Sequence, residues 1–238
     1  HYSSLPDTQP NHVNPPHYTI EKLMAFLGSD RPDWHMRPLT IQPGTKWIYS
    51  NTGFGLLGVA MEKISGLTYQ SLLDTIFCNE LGMPDTRVQL NSEQLSRLAT
   101  GYHHGDSVKY TLTSPAFYGA GGNFSCMNDM LKYLAWNMGL TNSTLNNLLD
   151  TLHTARDTTT RASAWQGLAW QISPLRPQSK QNFVWKDGAT TGYTAFICFV
   201  PETKTGVMVL ANNFDQSVQF DKIGIAILRI LNPPKEDK

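Results

Sequence analysis

Charge is scarce in this sequence. Only 16% of its 238 residues are Asp, Glu, Lys or Arg, and 19 acidic side chains balance 19 basic ones. A chain with no net field has nothing to draw in a polyanion, so neither nucleic acid nor an anionic membrane is expected as a partner. Cysteine is scarcer still. Cys78, Cys126 and Cys198 lie far apart, outside any close Cys-x-x-Cys spacing, and three thiols cannot pair completely within one chain. The histidines include His12 with His17 and the pair His103-His104, but none has the His-Glu-x-x-His spacing of a helical metal site. No metal and no cofactor is expected. No apolar run approaches the ~18 residues that would cross a bilayer, and neither a signal-peptide pattern nor an internal repeat is found. The first residue is His1, inside the polar, proline-rich stretch HYSSLPDTQPNHVNPPHYT. An upstream segment, with any export signal it carried, is therefore an expectation of this reading.

What is present is an ordinary globular composition, 40% hydrophobic, long enough to bury a core. In TIEKLMAFLG, apolar residues at Ile20, Leu23, Met24 and Leu27 predict a short amphipathic helix. A longer one is predicted from Asn51 to Ser65, with Asn51 as its N-cap, Phe54, Leu57, Met61 and Ile64 on one face and Gly66 as its stop. Gly53, Gly55 and Gly58 would let this helix pack closely. Thr68 is a good N-cap for the next helix, which the Gly82-Met83-Pro84 signal ends. A glycine-rich turn at GAGGN precedes a helix from about Met127, with Asn128 or Asp129 as its cap, and a polar helix is expected near 141–155.

The pattern then changes. GLAWQIS, NFVWKDG, TGYTAFICFV and TGVMVLANN are short β-branched or aromatic segments separated by turn residues, which predicts strands. PETKTG suits an antiparallel hairpin, and VQFDKIGIAILRIL suits a helix laid on that sheet. The expected fold class is α+β, with residues 1–160 forming a mainly helical subdomain and residues 161–238 an antiparallel sheet plus C-terminal helix. The cleft between them is the default site.

Tyr49-Ser50-Asn51 sits where the longer helix begins. Taken alone it reads as a loop ending in a cap, with Tyr49 packed on Trp47. Its chemical reading makes Tyr49 a proton carrier and Asn51 a hydrogen-bonding group for an amide or ester. A phenol is almost fully protonated at pH 7, and lowering its pKa by ~3 units takes ~4 kcal/mol, the scale of a unit charge ~4 Å away at an effective dielectric of ~20. That requirement points to a lysine in the same cleft. Lys186 in WKDGATTGY is the candidate, entering a strand just before Gly188, where a substrate can approach the backbone. The literal Lys204-Thr205-Gly206 is set aside as a solvated hairpin turn, with Gly206 serving turn geometry.

In order, HYSSLP, PGTKWIYSNTGFGLLG, GAGGNFSCMNDM and WKDGATTGYTAFICFVPETKTGVMVLAN resemble the serine β-lactamase and penicillin-binding-protein group, closest to class C β-lactamases, DD-peptidases and related esterases. The resemblance covers nearly the whole chain and implies a β-lactamase/transpeptidase-like fold. It also implies acyl transfer through a serine in a Ser-x-x-Lys motif, assisted by Tyr-x-Asn and by a Lys-Thr-Gly element on a strand. Carried across, it makes Tyr49 the proton shuttle, Asn51 the holder of the substrate's amide, Lys186 the steering cation that also depresses the Tyr49 pKa, and the Ala189 N–H an oxyanion donor beside Gly188. A small molecule or peptide is the implied substrate, and the bacterial envelope, periplasm or exterior the implied location.

Two departures qualify the resemblance. No Ser-x-x-Lys occurs in these residues. The N-terminal strands and the nucleophile helix of the family are then expected to lie elsewhere, and this chain alone is not expected to form an acyl-enzyme. A second polypeptide, an upstream segment or self-association would complete the sheet. The alternative is a non-catalytic binding or assembly module. The second departure is Asp187, where the resembled motif carries Thr or Ser; an acid sits badly beside a substrate carboxylate and favours an ester, an amide or an amino-ended peptide.

Overall fold

The repeat at Ile20 forms α1 (Ile20–Leu27) in the structure, a computed structural model that describes residues 19–27, 45, 47–109, 113–159, 164–215 and 217–234. HYSSLP, His12 and His17 lie outside the described residues.

The next helix, α2, runs Asn51–Ser65, but its cap is Ser50 rather than Asn51. Ser50 has extended backbone angles, and its Oγ accepts the Gly53 N–H at 2.9 Å. This satisfies an orphan donor of the first turn and leaves the Asn51 carboxamide uninvolved in capping. Gly66 closes α2 at φ 73°, a left-handed position that a side chain would strain. Its packing inverts the expected faces. The buried positions are Thr52, Gly55, Gly58 and Val59, whereas Phe54, Leu57, Met61 and Ile64 are exposed. A Cβ at Gly55 would lie 2.5 Å from the Ala116 carbonyl oxygen, and one at Gly58 3.1 Å from Gly119. Glycine therefore lets the backbone of α2 touch the 3-10 turn Pro115–Phe117 and the residues after it.

Thr68 caps α3 (Tyr69–Leu73), which continues through a π-helical turn, Asp74–Cys78, into α4 (Asn79–Leu81) and stops at Gly82, φ 68°. The weakly patterned stretch that follows folds into α5 (Ser92–Ser96) and a small hairpin, β1 (Gly101–His103) with β2 (Asp106–Val108). Then come α6 (Met127–Asn137), a 3-10 turn at Thr144–Leu148 and α7 (Leu149–His153). Neither Asn128 nor Asp129 caps α6. Cys126 occupies that position without a side-chain capping bond, its thiol lying 3.9 Å from the Asp85 carboxylate. Asp129 instead turns inward, 2% exposed, and accepts the Asp85 N–H at 2.8 Å and the Thr86 hydroxyl at 3.0 Å. Buried, it fastens the 84–87 loop to α6.

The main sheet is a six-stranded antiparallel meander: β3 (Asp157–Thr158), β4 (Trp165–Gln166), β5 (Gln171–Pro174), β6 (Asn182–Thr190), β7 (Tyr193–Val200) and β8 (Thr205–Ala211), neighbours in that order. It is covered on both faces, which is why β7 reads as an unbroken apolar run rather than an alternating one. Phe183, Trp185, Phe196, Cys198 and Val200 pack with Leu228 of α8 (Phe220–Leu231) on one face. Val184, Ile197, Phe199, Trp170 and Ile172 pack with Leu134 of α6 on the other. Burial pushes the Cys198 thiol up to about 12, as expected of a thiol used as apolar filler.

Two details differ from the sequence reading. Gly206 lies within β8, where a Cβ would meet Leu134 at 2.9 Å, so it serves helix-on-sheet packing; the left-handed residue of the β7–β8 turn is Lys204, φ 52°. The division near residue 160 is also blurred. β3 precedes it, and β9 (Asn213–Phe214), late in the chain, pairs in parallel with β1.

Candidate active site

A notch in the main sheet makes the site. β5 is short, and its last pair with β6 is Gln171 with Trp185. β6 runs on through Lys186 to Thr190, paired there, among the described residues, with β7 alone. Beside that bare edge lies a cavity of about 390 Å³ lined by Trp47, Tyr49, Thr159, Gln171, Lys186, Asp187, Gly188 and Ala189. The loop before α2 forms one wall and the edge of β6 the other.

Tyr49 and Lys186 therefore meet in one crevice. The Lys186 ammonium stands over the Tyr49 ring, 5.8 Å from its centroid, within the range of a cation–π contact. Tyr49 is half-exposed and is backed by Trp47, with ring centroids 6.4 Å apart and tilted. The phenol thus faces the cavity instead of the core. Strand alternation sends Lys186 and Asp187 to opposite faces, yet at the bare edge the lysine folds back across its neighbour. Its Nζ donates to the Asp187 carbonyl oxygen at 2.5 Å and lies 3.4 Å from the Asp187 carboxylate.

Gly188 and Ala189 follow along the same edge, and nothing comes within 4 Å of where a Gly188 Cβ would be. A ligand could lie directly against this backbone. The hairpin beyond is tight: Thr190 pairs with Tyr193, and Gly192 takes φ 88° in the two-residue connection. Asn51, half-buried in the first turn of α2, is outside the set of lining residues, as is Lys204 in its exposed turn.

Sequence reasoning missed Thr159 and Gln171 as wall residues, and took Trp47 only as a packing partner for Tyr49. Gln171 did leave a signal, a carboxamide interrupting the apolar run of LAWQIS. Thr159 left none, because its place is set by how β3 and β4 reach the notch. Trp170 and Trp185 are buried on opposite faces of the sheet, with the Trp185 indole N–H donating to the Ser173 hydroxyl at 3.1 Å. Among the described residues, no group of three or more His, Cys, Asp or Glu side chains is placed to hold a metal ion, and no helix is long and apolar enough to cross a membrane.

This architecture, an antiparallel sheet packed between helices, is shared with class C β-lactamases. One such crystal structure superposes with a TM-score of 0.77 at 25% identity, covering 94% of this chain and 67% of that one. Another, solved in complex with cefoxitin, gives 0.76 at 25% identity over 92% of this chain and 68% of that one. The Beta-lactamase family profile matches residues 1–230, and the chain belongs to that family. Curated relatives include a β-lactamase of Escherichia coli K12, 25% identical over 88% of this chain and 60% of its own length, and one of Psychrobacter immobilis, 28% identical over 87% and 57%. The D-alanyl-D-alanine-carboxypeptidase/endopeptidase AmpH of E. coli K12 is 25% identical over 88% and 56%. The chain thus spans about 60% of the length of the curated relatives it matches.

Proposed function

We propose that this chain is the Tyr- and Lys-bearing part of a serine hydrolase that cleaves an amide or an ester through an acyl-enzyme, with the nucleophilic serine supplied by polypeptide outside these residues. The observation that carries the reading is the meeting of Tyr49 and Lys186 in one solvent-open crevice beside the bare edge of β6. In this reading Tyr49 passes a proton between the serine hydroxyl and the leaving group. Lys186 supplies a positive charge beside the Tyr49 ring, 5.8 Å from its centroid, where that transfer takes place. The Ala189 N–H, on the bare edge, is one donor to the tetrahedral oxyanion, and Asn51, outside the cavity lining, is assigned the amide of the substrate from the family resemblance alone.

Completion of the fold by further polypeptide is part of the proposal. β8 pairs only with β7 among the described residues, and α2 and α8 both turn apolar side chains to solvent. Self-association is the state expected when no such segment is supplied. A location in the cell envelope or outside the cell belongs to the same reading, supported by the bacterial β-lactamases and carboxypeptidase that the chain resembles.

A fluorescent penicillin and a fluorophosphonate test the proposal. Neither should label the 238-residue chain alone. Both should label the chain joined to, or mixed with, a segment carrying Ser-x-x-Lys. Robust labelling of the chain alone would place the nucleophile within these residues and defeat the assignment.

A further inference from the structure

The cavity carries one cation and one anion, and they already face each other. Among its eight lining residues Lys186 is the one basic side chain and Asp187 the one carboxylic side chain, so its formal charge is zero. Two of the three N–H donors of the Lys186 ammonium are engaged by oxygens of residue 187, one carbonyl and one carboxylate. A substrate carboxylate approaching that ammonium finds one donor left to it and comes to rest beside a second carboxylate, 3.4 Å from the same nitrogen. The Asp187 side chain is 47% exposed, against 34% for Lys186, so the anion is the more accessible of the two charges. Beside it, the space at Gly188 is open.

The geometry points to Asp187 as the residue that sets substrate charge: the group lying against β6 is an amine or another cationic hydrogen-bond donor, not a carboxylate. The inference rests on the hydrolase reading for its site, but it concerns only which charge the crevice prefers. An ammonium placed near Asp187 gains a carboxylate partner, and Lys186 keeps its bond to the backbone carbonyl of residue 187. Asp187 is a specificity residue in this account and takes no part in bond breaking.

Three probes on one scaffold and of similar size test it: 4-(aminomethyl)phenylacetamide, 4-carbamoylphenylacetamide and 4-carboxyphenylacetamide, titrated into the 15N-labelled 238-residue chain while the amide signals of Gly188 and Ala189 are followed. The expected order is cation, neutral, anion, with about tenfold between first and last. In Asp187→Asn the cation should lose about tenfold and the anion should gain. Tighter binding of the anionic probe to the wild-type chain, an order unchanged in Asp187→Asn, or no response at either amide overturns the inference. Acylation is the separate readout for the hydrolase reading. Charge ranking without acylation of the serine-completed protein defeats the hydrolase and spares the specificity residue, while acylation without charge ranking does the reverse.

Discussion

The Lys186 ammonium lies 5.8 Å from the centroid of the Tyr49 ring, across a crevice that the two side chains share with the bare edge of β6. If that contact serves proton transfer, Tyr49→Phe in the serine-completed protein removes a group used only in the transition state. The ring, and hence the cation–π contact, survives the change. Turnover should fall about 10²–10³-fold while KM moves little, as for loss of a general acid–base. Equal losses in turnover and affinity, or no loss, would sink the role given to Tyr49.

Gly55 and Gly53, two residues apart on α2, should respond oppositely to the same substitution. At Gly55 a new Cβ would lie 2.5 Å from the Ala116 carbonyl oxygen and 3.2 Å from Phe117, so backbone must move; Gly55→Ala should cost about 1–3 kcal/mol. At Gly53 the Cβ meets only the Ser50 side chain, at 3.4 Å. There the better helix propensity of alanine, up to about 1 kcal/mol, should leave stability unchanged or raised. Urea unfolding of the two variants decides it, and similar losses in both would contradict the close approach of α2 to the Pro115–Phe117 turn.

Much of this architecture was legible in the chain because punctuation and period agreed. Gly66 and Gly82 ended helices where the apolar repeat ended, and strand-length runs between turn residues became β5 to β8. The faces were not legible. In α2 Phe54, Leu57, Met61 and Ile64 point outward while Gly55 and Gly58 point inward, because backbone-to-backbone contact with the Pro115–Phe117 turn displaces the larger side chains. Asp129 looked like a cap, but tertiary donors at Asp85 and Thr86 claimed its carboxylate. For the site, Tyr49 and Lys186 stood out as chemistry without an apolar role, whereas Thr159 is brought to the cleft by the register of two 2-residue strands that no local pattern specifies.

His153 gives the fold a pH dependence whose sign is fixed by its surroundings. It packs edge-on against Trp170 and Phe199, and its Nε2 bonds the Asn137 carboxamide oxygen at 3.0 Å. Burial there lowers its pKa from 6.5 to about 4. The unfolded chain therefore binds a proton that the folded chain refuses, and stability is lost as pH falls from about 6.5 toward 4. His153→Gln, which keeps a side-chain donor for Asn137, should flatten the urea midpoint across that window relative to wild type. An unchanged slope would mean that other groups control the acid limb.

The Asp129 carboxylate should matter more than any surface ion pair. It is 2% exposed and accepts two hydrogen bonds from the 84–87 loop, so Asp129→Ala strands the Asp85 N–H and leaves the Thr86 hydroxyl with Ser125 alone of its two partners, at a cost of about 1–3 kcal/mol. Glu93, whose carboxylate pairs with Arg97 at 2.8 Å on the surface, offers the contrast: Glu93→Ala should change stability by at most about 0.5 kcal/mol. Chemical denaturation of both variants separates the two, and a loss at Glu93 matching that at Asp129 would refute the distinction.

The outer face of α8 supplies the last prediction. Gly224 and Leu228 face the sheet, and a Cβ at Gly224 would strike Phe196 at 2.5 Å, so the helix lies as close to the strands as glycine allows. Its opposite face carries Ile223, Ile227 and Ile230, exposed by 48%, 42% and 77%. Their i, i+4, i+7 spacing forms one apolar stripe, as in a helix that expects a cover. If that cover comes from polypeptide beyond the described residues, the stripe adds little to the stability of this chain alone. The triple variant Ile223→Lys, Ile227→Lys, Ile230→Lys should then cost at most about 0.5 kcal/mol per site, bind less of an apolar fluorescent dye and sediment with less self-association. The same variant should also lose the gain in stability that a complementing segment confers on the wild-type chain. A collapse of folding in the variant alone would mean that the stripe is packed within this chain, and the case for a covering segment on α8 would fail.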